Sequence, residues 1–220
     1  MTFVEMFQTH TLIAGCTGSG KSVLLNNFIC DALNTDNTHL ILCDPKKVEF
    51  AQYRKCKKVQ YFNDIKGING ILKGIQKEEK RRYKEMQKKE LKQYDGTKIY
   101  VVIDEIADLL LSYGTESKTF NNLLVSMLCT CRASNIQFVI ATQTPNRKVL
   151  DGRLMCNLPT MCGLRCKSGI ESRQIIGANG CENLPKYGFF LLNSPEYTTI
   201  KRVSFGVNAD YIAETIRKMK

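Results

Sequence analysis

Residues 11–25 read Thr-Leu-Ile-Ala-Gly-Cys-Thr-Gly-Ser-Gly-Lys-Ser-Val-Leu-Leu, and this stretch decides the fold. Residues 11–14 form a short apolar run that predicts a buried strand. Residues 22–33 then carry apolar side chains at helical spacing. Between them, residues 15–22 match the pattern G-x-x-x-x-G-K-[ST] in full, in the strand–loop–helix context that this phosphate-binding loop requires. The alternative, a chance glycine-rich turn, fits the flanking strand and helix poorly.

The chemistry of this loop explains why these residue types are needed. Glycines let backbone N–H groups turn inward around phosphate oxygens, and the start of the helix adds its partial positive charge. Lys21 is predicted to reach the β- and γ-phosphates of ATP, and the Ser22 hydroxyl to ligate Mg²⁺. The predicted nucleotide-binding residues are Gly15, Cys16, Thr17, Gly18, Ser19, Gly20, Lys21, Ser22 and Val23.

A second apolar strand, residues 99–103, ends at Asp104-Glu105. Open α/β sheets bind ligands at the carboxyl ends of their strands, so this pair is expected to face the P-loop. We predict that Asp104 holds Mg²⁺, directly or through water, and that Glu105 is the general base that polarises the attacking water. The alternative is that the two acids simply end a strand.

Three further residues are candidates for the reaction. Residues 136–141 predict a strand that ends before Gln143, whose amide would face the γ-phosphate if this strand lies between the other two; otherwise it is a turn residue. Hydrolysis usually needs an arginine to stabilise charge in the transition state. Arg132 and Arg173 are both candidates, and spacing alone does not decide between them.

The rest of the chain alternates strands and helices, and the strands are apolar throughout. This pattern is typical of an α/β fold with a mostly parallel sheet and helices on both faces. A long basic helix is predicted from an N-cap at Asp64 to the turn at residues 94–96, with its charges interpreted as a solvated face of paired side chains. A C-terminal β-hairpin is predicted over residues 188–205, and residues 1–220 are taken as a single domain.

The net charge of the chain indicates a class of binding partners but does not identify one. The formal net charge is +11, which favours a nucleic acid, an acidic membrane surface or nucleotide phosphates, although a solvated basic surface gives the same total. No apolar run is long enough to span a bilayer, so we expect a cytoplasmic chain whose membrane anchor, if any, lies outside it. The ten cysteines form no C-x-x-C pair, which disfavours zinc and favours buried thiols.

Seven segments, in order over nearly the whole chain, resemble one known family. They are TLIAGCTGSGKSVLL at 11–25, DPKKVE at 44–49, RRY at 81–83, VIDEIADL at 102–109, RASNI at 132–136, ATQTP at 141–145, and PT with ESR at 159–160 and 171–173. These segments are similar to those of the motor domain of the FtsK/SpoIIIE family of DNA translocases. The resemblance implies a RecA-like P-loop NTPase that assembles into a hexameric ring around double-stranded DNA, with ATP bound between subunits.

By the same resemblance, Arg132 is the arginine finger that reaches the γ-phosphate of a neighbouring subunit. The loop after Gln143 and the region after the Asp104 strand become candidate DNA contacts. Their basic residues are Arg147, Lys148, Arg153 and Lys118. The alternative for these four residues is an ordinary solvated loop.

This chain departs from the family pattern at two positions, because Met161 and Thr144 stand where the family often has arginine. Two other functions stay open. One is a protein-secretion motor like the type VII ATPases, although the segments at 44–46 and 81–83 favour the DNA branch. The other is a non-motor: a small-molecule kinase, or an ATP-binding module that regulates a partner.

Overall fold

The structure is a computed structural model that describes residues 1–146 and 149–220. Its eight described strands form one sheet in the order β3-β2-β4-β5-β1-β6-β7-β8. Their bounds are β1 Thr11–Ala14, β2 Thr38–Cys43, β3 Val59–Phe62, β4 Lys98–Ile103, β5 Ile136–Thr142, β6 Thr160–Gly163, β7 Phe189–Asn193 and β8 Lys201–Ser204. The first six strands run parallel, and β7 and β8 pair antiparallel at one edge.

Helices cover both faces of this sheet. Their bounds are α1 Phe3–Met6, α2 Lys21–Asn34, α3 Ile65–Lys89, α4 Ile106–Leu111, α5 Thr115–Thr130, α6 Gly152–Met155, α7 Gly169–Ile176 and α8 Ala209–Met219. Within the described ranges, no helix combines the length and the apolar character needed to cross a bilayer.

Successive side chains of each strand point to opposite faces of the sheet, and this divides the hydrophobic core into two halves. In β4, Val101 and Ile103 point to the face covered by α3 to α7, whereas Tyr100 and Val102 point to the face covered by α1, α2 and α8. Successive side chains of a strand lie on opposite faces, so a strand that is apolar at every position must be covered on both. The predicted α/β fold with a parallel sheet and a C-terminal hairpin is therefore confirmed.

Several predicted boundaries were wrong for local reasons. The long helix ends at Lys89, because Glu90 turns into the left-handed region with φ of +54°, and not at residues 94–96. A separate short helix, α4, was not predicted. For the following helix, apolar spacing in the sequence predicts residues 119–134, whereas the structure has it at 115–130, because the chain turns after Thr130 and Asn135 has φ of +58°.

The basic helix α3 carries most of its charges on the predicted solvated face, with partners one turn away, but Glu79 and Arg82 are buried. Arg81 pairs with both Glu78 and Glu85, and Lys89 pairs with Glu85, at 2.7 to 2.9 Å. Its N-cap is the predicted one, since Asp64 accepts a hydrogen bond from the Gly67 amide. These acids neutralise part of the positive charge that the sequence concentrates in this helix.

Replacing two glycines by alanine is expected to have opposite effects on the stability of this fold. A Cβ atom on Gly163 in β6 would lie 2.4 Å from the Cys181 Sγ and 2.8 Å from the Ile176 Cγ2, so Gly163→Ala is expected to destabilise by about 1–3 kcal/mol. Gly70 lies exposed in α3 with open space around it, so Gly70→Ala is expected to stabilise by about 0.5–1 kcal/mol. Urea denaturation measures both, and equal effects of the two substitutions would contradict the packing at β6.

Candidate nucleotide-binding site

The P-loop joins the end of β1 to the start of α2, as the sequence predicted. Gly20 is the N-cap of α2 with φ of +95°, and no side chain caps the helix. The first N–H groups of a helix lack partners within it, so the start of α2 presents donors and a partial positive charge to an anion. The loop is therefore built to accept phosphate.

Close contacts explain one glycine of the loop. A Cβ atom on Gly15 would lie 2.7 Å from the Leu164 Cβ and 2.8 Å from the Ser19 Oγ. The reason is that β6 ends at Gly163 and its continuation runs against the P-loop, where the Cys16 amide donates to the Arg165 carbonyl at 2.9 Å. The loop is thus fixed from the side by the segment after β6. The apolar run in the sequence predicts a strand over residues 160–166, but the structure ends it at Gly163.

An ion pair joins the P-loop to the end of β4. The Lys21 Nζ lies 2.7 Å from the Asp104 Oδ1, and both side chains are almost fully buried, with 5% and 3% of their surface exposed. The structure thus brings together the two residues that sequence analysis assigned to the phosphates and to the metal. The Lys21 ammonium is neutralised by Asp104 here, so a bound polyphosphate would have to take over part of this pairing.

Glu105 is held by the neighbouring strand β5. Its carboxylate accepts hydrogen bonds from the Thr142 hydroxyl at 2.8 Å and from the backbone N–H of Gln143 at 3.0 Å. The residue is 2% exposed and adopts φ of +46°, an unusual conformation for a residue with a side chain. Such strain is retained where the surroundings fix the residue, and it is common at functional sites.

Gln143 connects this carboxylate to the P-loop. Its backbone N–H donates to Glu105, while its side-chain Oε1 accepts from the Thr17 hydroxyl. Gln143 directly follows β5, and this strand lies between β4 and β1. That position is the condition under which sequence analysis expected Gln143 to face the phosphates. Thr17, Gln143 and Glu105 therefore form one continuous hydrogen-bonded chain.

A cleft of about 580 Å³ opens over the P-loop. One wall consists of predicted residues, namely Cys16, Thr17, Gly18, Gly20, Lys21, Ser22, Val23 and Gln143. The other wall comes from both ends of the C-terminal hairpin, namely Tyr187, Gly188, Phe205, Gly206 and Val207. Sequence analysis missed this second wall, because no motif marks it. The hairpin comes near the P-loop only through the sheet order, in which β7 lies beside β6 and β6 lies beside β1.

The two candidate arginines lie outside this cleft. Arg132 is exposed between α5 and β5, at the sheet edge where strands β4 and β5 begin, so a whole strand length separates it from the P-loop. It borders a second cleft of about 590 Å³, together with His10 and Lys98. Burial and the nearby Arg132 charge lower the pKa of His10 to about 4, so this imidazole is neutral near pH 7. Arg173 is exposed on α7, where it hydrogen-bonds Asn179.

The residues predicted for Mg²⁺ fit a hard cation. Asp104 uses Oδ1 toward Lys21, which leaves Oδ2 available, and the Ser22 hydroxyl makes no hydrogen bond to the described chain. Mg²⁺ prefers oxygen ligands of this kind, usually one or two protein groups together with water and phosphate oxygens.

The candidate DNA contacts fall partly outside the described residues, since Arg147 and Lys148 belong to the part that the structure does not describe. Lys118 is exposed and shares a hollow of about 230 Å³ with Val149 and Asp151. Arg153 is exposed and pairs with Asp151 at 2.9 Å. The region after β4 and the loop after β5 therefore form one surface.

The sheet order, the P-loop and the acidic pair at the end of β4 together define a P-loop nucleotide-binding domain of the α/β class. Residues 1–98 match the model of the FtsK/SpoIIIE family. Over these residues the chain belongs to this family.

Relatives by sequence carry the name DNA translocase. In an alignment of 225 positions, the chain is 32% identical to the DNA translocase FtsK of Campylobacter jejuni, with 94% of this chain and 24% of the relative covered. Over 194 residues it is 31% identical to the DNA translocase SftA of Bacillus subtilis, with 80% of this chain and 20% of the relative covered. The chain thus spans about a quarter of the length of the curated relatives it matches.

Solved structures confirm the fold. The conjugation coupling protein TcpA of pCW3, solved as a monomer with ATPgS, superposes with a TM-score of 0.85 at 23% identity, covering 97% of this chain and 66% of that one. EssC (ATPases 2 and 3) from Geobacillus thermodenitrificans gives a TM-score of 0.80 at 18% identity, covering 97% of this chain and 43% of that one.

The ion pair between Lys21 and Asp104 predicts a stability change in the absence of nucleotide. Replacing Lys21 with Met leaves a buried carboxylate without its partner, so we expect a loss of about 3 kcal/mol in the free energy of unfolding. The exposed pair between Lys46 and Asp108, at 3.6 Å, is the control, and Lys46→Met is expected to cost less than about 0.5 kcal/mol. Urea denaturation at neutral pH measures both. A loss below about 1 kcal/mol for Lys21→Met would contradict a structural role for the pair.

Proposed function

We propose that residues 1–220 form one motor domain that hydrolyses ATP and couples hydrolysis to movement along double-stranded DNA, as part of a homo-oligomeric ring. The observation that carries the proposal is the buried pairing of Lys21, which lines the P-loop cleft, with Asp104 beside Glu105. The sequence relatives named DNA translocases support the DNA branch.

Phosphate binding in this proposal relies on the start of α2 and on Lys21. The amides of the uncapped helix grip the phosphate oxygens, and Lys21 exchanges its Asp104 partner for the negative charge of the nucleotide. Asp104, released from Lys21, and the Ser22 hydroxyl would then hold Mg²⁺, which would neutralise charge on the phosphates.

The base of the reaction is Glu105. Its carboxylate is oriented by Thr142 and by the Gln143 amide, so that it needs little rearrangement to accept a proton from an attacking water. Gln143 also contacts Thr17 of the P-loop. A nucleotide that displaces Thr17 therefore acts on the residue that holds the base, which gives a physical route from phosphate binding to catalysis.

The arginine for the transition state is Arg132 of another copy. Among the described residues that line the P-loop cleft, Lys21 is the only cation. A chain's own Arg132 lies at the far end of β5, roughly 20 Å away for a strand of this length. Subunits that meet head to tail bring opposite edges together, and repeated rotation of such contacts closes a ring.

DNA binding is proposed for the surface after β4 and β5, where Lys118 and Arg153 are exposed. Arg147 and Lys148, which the sequence adds to this set, lie outside the described residues. The formal net charge of +11 favours a phosphate backbone as partner. The type VII secretion ATPase EccC of Thermomonospora curvata shares the fold at 20% identity, whereas the relatives above 30% identity are DNA translocases, so the secretion alternative has less support.

Duplex DNA is expected to stimulate ATP turnover, and the stimulation should fall steeply as salt rises from about 50 to 200 mM, because phosphate contacts release counterions. Glu105→Gln should lower turnover by about 100-fold or more while ATP binding persists. Asp108→Asn, at a half-buried acid on α4, is the matched control and should keep its activity.

Steady-state phosphate release and ATP calorimetry measure these effects. Full turnover in Glu105→Gln would reject the assigned base. Stimulation by a secreted signal peptide and not by DNA would reject the DNA branch in favour of a secretion motor.

Mixing two inactive variants tests whether Arg132 acts in a neighbouring subunit. Arg132→Ala keeps an intact P-loop and Lys21→Ala keeps an intact arginine, so each alone should be inactive. An equal mixture should regain roughly a quarter of wild-type turnover, because one interface in four combines both intact halves. Turnover at fixed total protein with duplex DNA is the measurement.

Arg217→Ala, another exposed arginine, is the control for the loss of a positive charge and should be active by itself. A mixture that stays inactive would contradict action between subunits, and an active Arg132→Ala protein would remove Arg132 from the mechanism.

A further inference from the structure

The cleft over the P-loop has two chemically different ends. Its phosphate end contains Lys21 and the start of α2, which the proposed function uses. Its other end is lined by Tyr187, Phe205 and Val207, which the proposed function leaves without a role. Tyr187 is 59% exposed and Val207 is 69% exposed, although both are large and apolar. Apolar surface at a cleft is stabilised when a ligand covers it.

This apolar end is fixed in place. The Phe205 amide donates to the Gly188 carbonyl at 2.9 Å, which joins the two ends of the hairpin beside the cleft. The Asn27 side chain donates to the Gly206 carbonyl at 2.9 Å, which ties the segment after β8 to the P-loop helix α2. The wall therefore keeps a fixed position relative to the phosphate end.

Phe205 also contacts the P-loop itself. A Cβ atom on Gly20 would lie 3.1 Å from the Phe205 Cζ, and the same ring packs against Phe190 with centroids 5.8 Å apart. The Lys186 Nζ lies 5.1 Å from the centroid of the Tyr187 ring, close enough for a cation–π contact. A flat molecule attached to a phosphate chain on the P-loop would meet these aromatic rings.

We infer that the wall formed by Tyr187, Phe205 and Val207 is the subsite for the nucleobase, which it binds by stacking and apolar contact. The inference rests on the proposed function, since it requires a nucleotide on the P-loop. These three side chains offer contact area, and the neighbouring Gly188 and Gly206 carbonyls already accept hydrogen bonds. The subsite therefore selects ring size more than base identity, and purine nucleotides bind more tightly than pyrimidine nucleotides.

Calorimetry with ATP, UTP and inorganic tripolyphosphate separates the two ends of the cleft, because tripolyphosphate carries no base. Tyr187→Ala should weaken ATP binding by roughly tenfold and UTP binding by less, since base–aromatic stacking grows with ring area. Tripolyphosphate should bind within about twofold of wild type, because the phosphate end is unchanged.

Tyr113→Ala is the matched control, because Tyr113 is an exposed aromatic residue outside the cleft, and it should bind all three ligands as wild type does. Val207→Ala is the second variant, with a smaller loss of ATP affinity expected. Both target side chains are exposed, and unchanged urea midpoints verify that the variants fold.

Lys21→Ala distinguishes failure of the inference from failure of the proposed function. If Lys21→Ala abolishes ATP binding while Tyr187→Ala changes nothing, the base subsite is wrong and the phosphate site stands. If Tyr187→Ala weakens ATP and tripolyphosphate equally, the side chain acts on the phosphates and the inference is also overturned. If wild type binds neither ligand, the nucleotide function itself fails.

Discussion

The buried ion pair between Lys21 and Asp104 is the contact on which the rest of the site depends. It joins the first residue of α2 to the residue after β4, two elements that lie 83 positions apart in the chain. A buried charge without a partner is costly, so this pairing requires the β4 end and the P-loop to lie together. Once they do, Glu105 necessarily follows at the strand edge, and β5 supplies its hydrogen-bond partners.

The same pair gives the phosphate site a defined electrostatic state. Lys21 is not a free cation waiting for phosphate, because Asp104 already neutralises it at 2.7 Å. In the proposed mechanism, Lys21 turns from Asp104 to the phosphates, and Asp104 would then be able to hold the metal. The hydrogen-bonded chain from Thr17 through Gln143 to Glu105 then carries the change from the P-loop to the proposed base.

A parallel sheet has two distinct edges, and this molecule uses them differently. The carboxyl edge holds the P-loop cleft, and the opposite edge holds the cleft with Arg132, His10 and Lys98. Because one chain cannot bring its own edges together, the proposed catalytic arginine requires a second copy. The proposed dependence on assembly follows from the direction of the strands as much as from the identity of the arginine.

Residues 11–25 and 99–105 were enough to predict the P-loop and the acidic pair, because glycine spacing and apolar strand runs are local properties of the chain. The alternation of apolar strands with helices over the rest of the chain predicted the parallel α/β sheet. Local pattern did not predict the end of α3 at Glu90, where a non-glycine residue takes a left-handed conformation. It also did not predict that Tyr187 and Phe205 would border the P-loop. That wall depends on the sheet order, which brings β7 and β8 to the side of β6, and such long-range pairing leaves no signature in either segment alone.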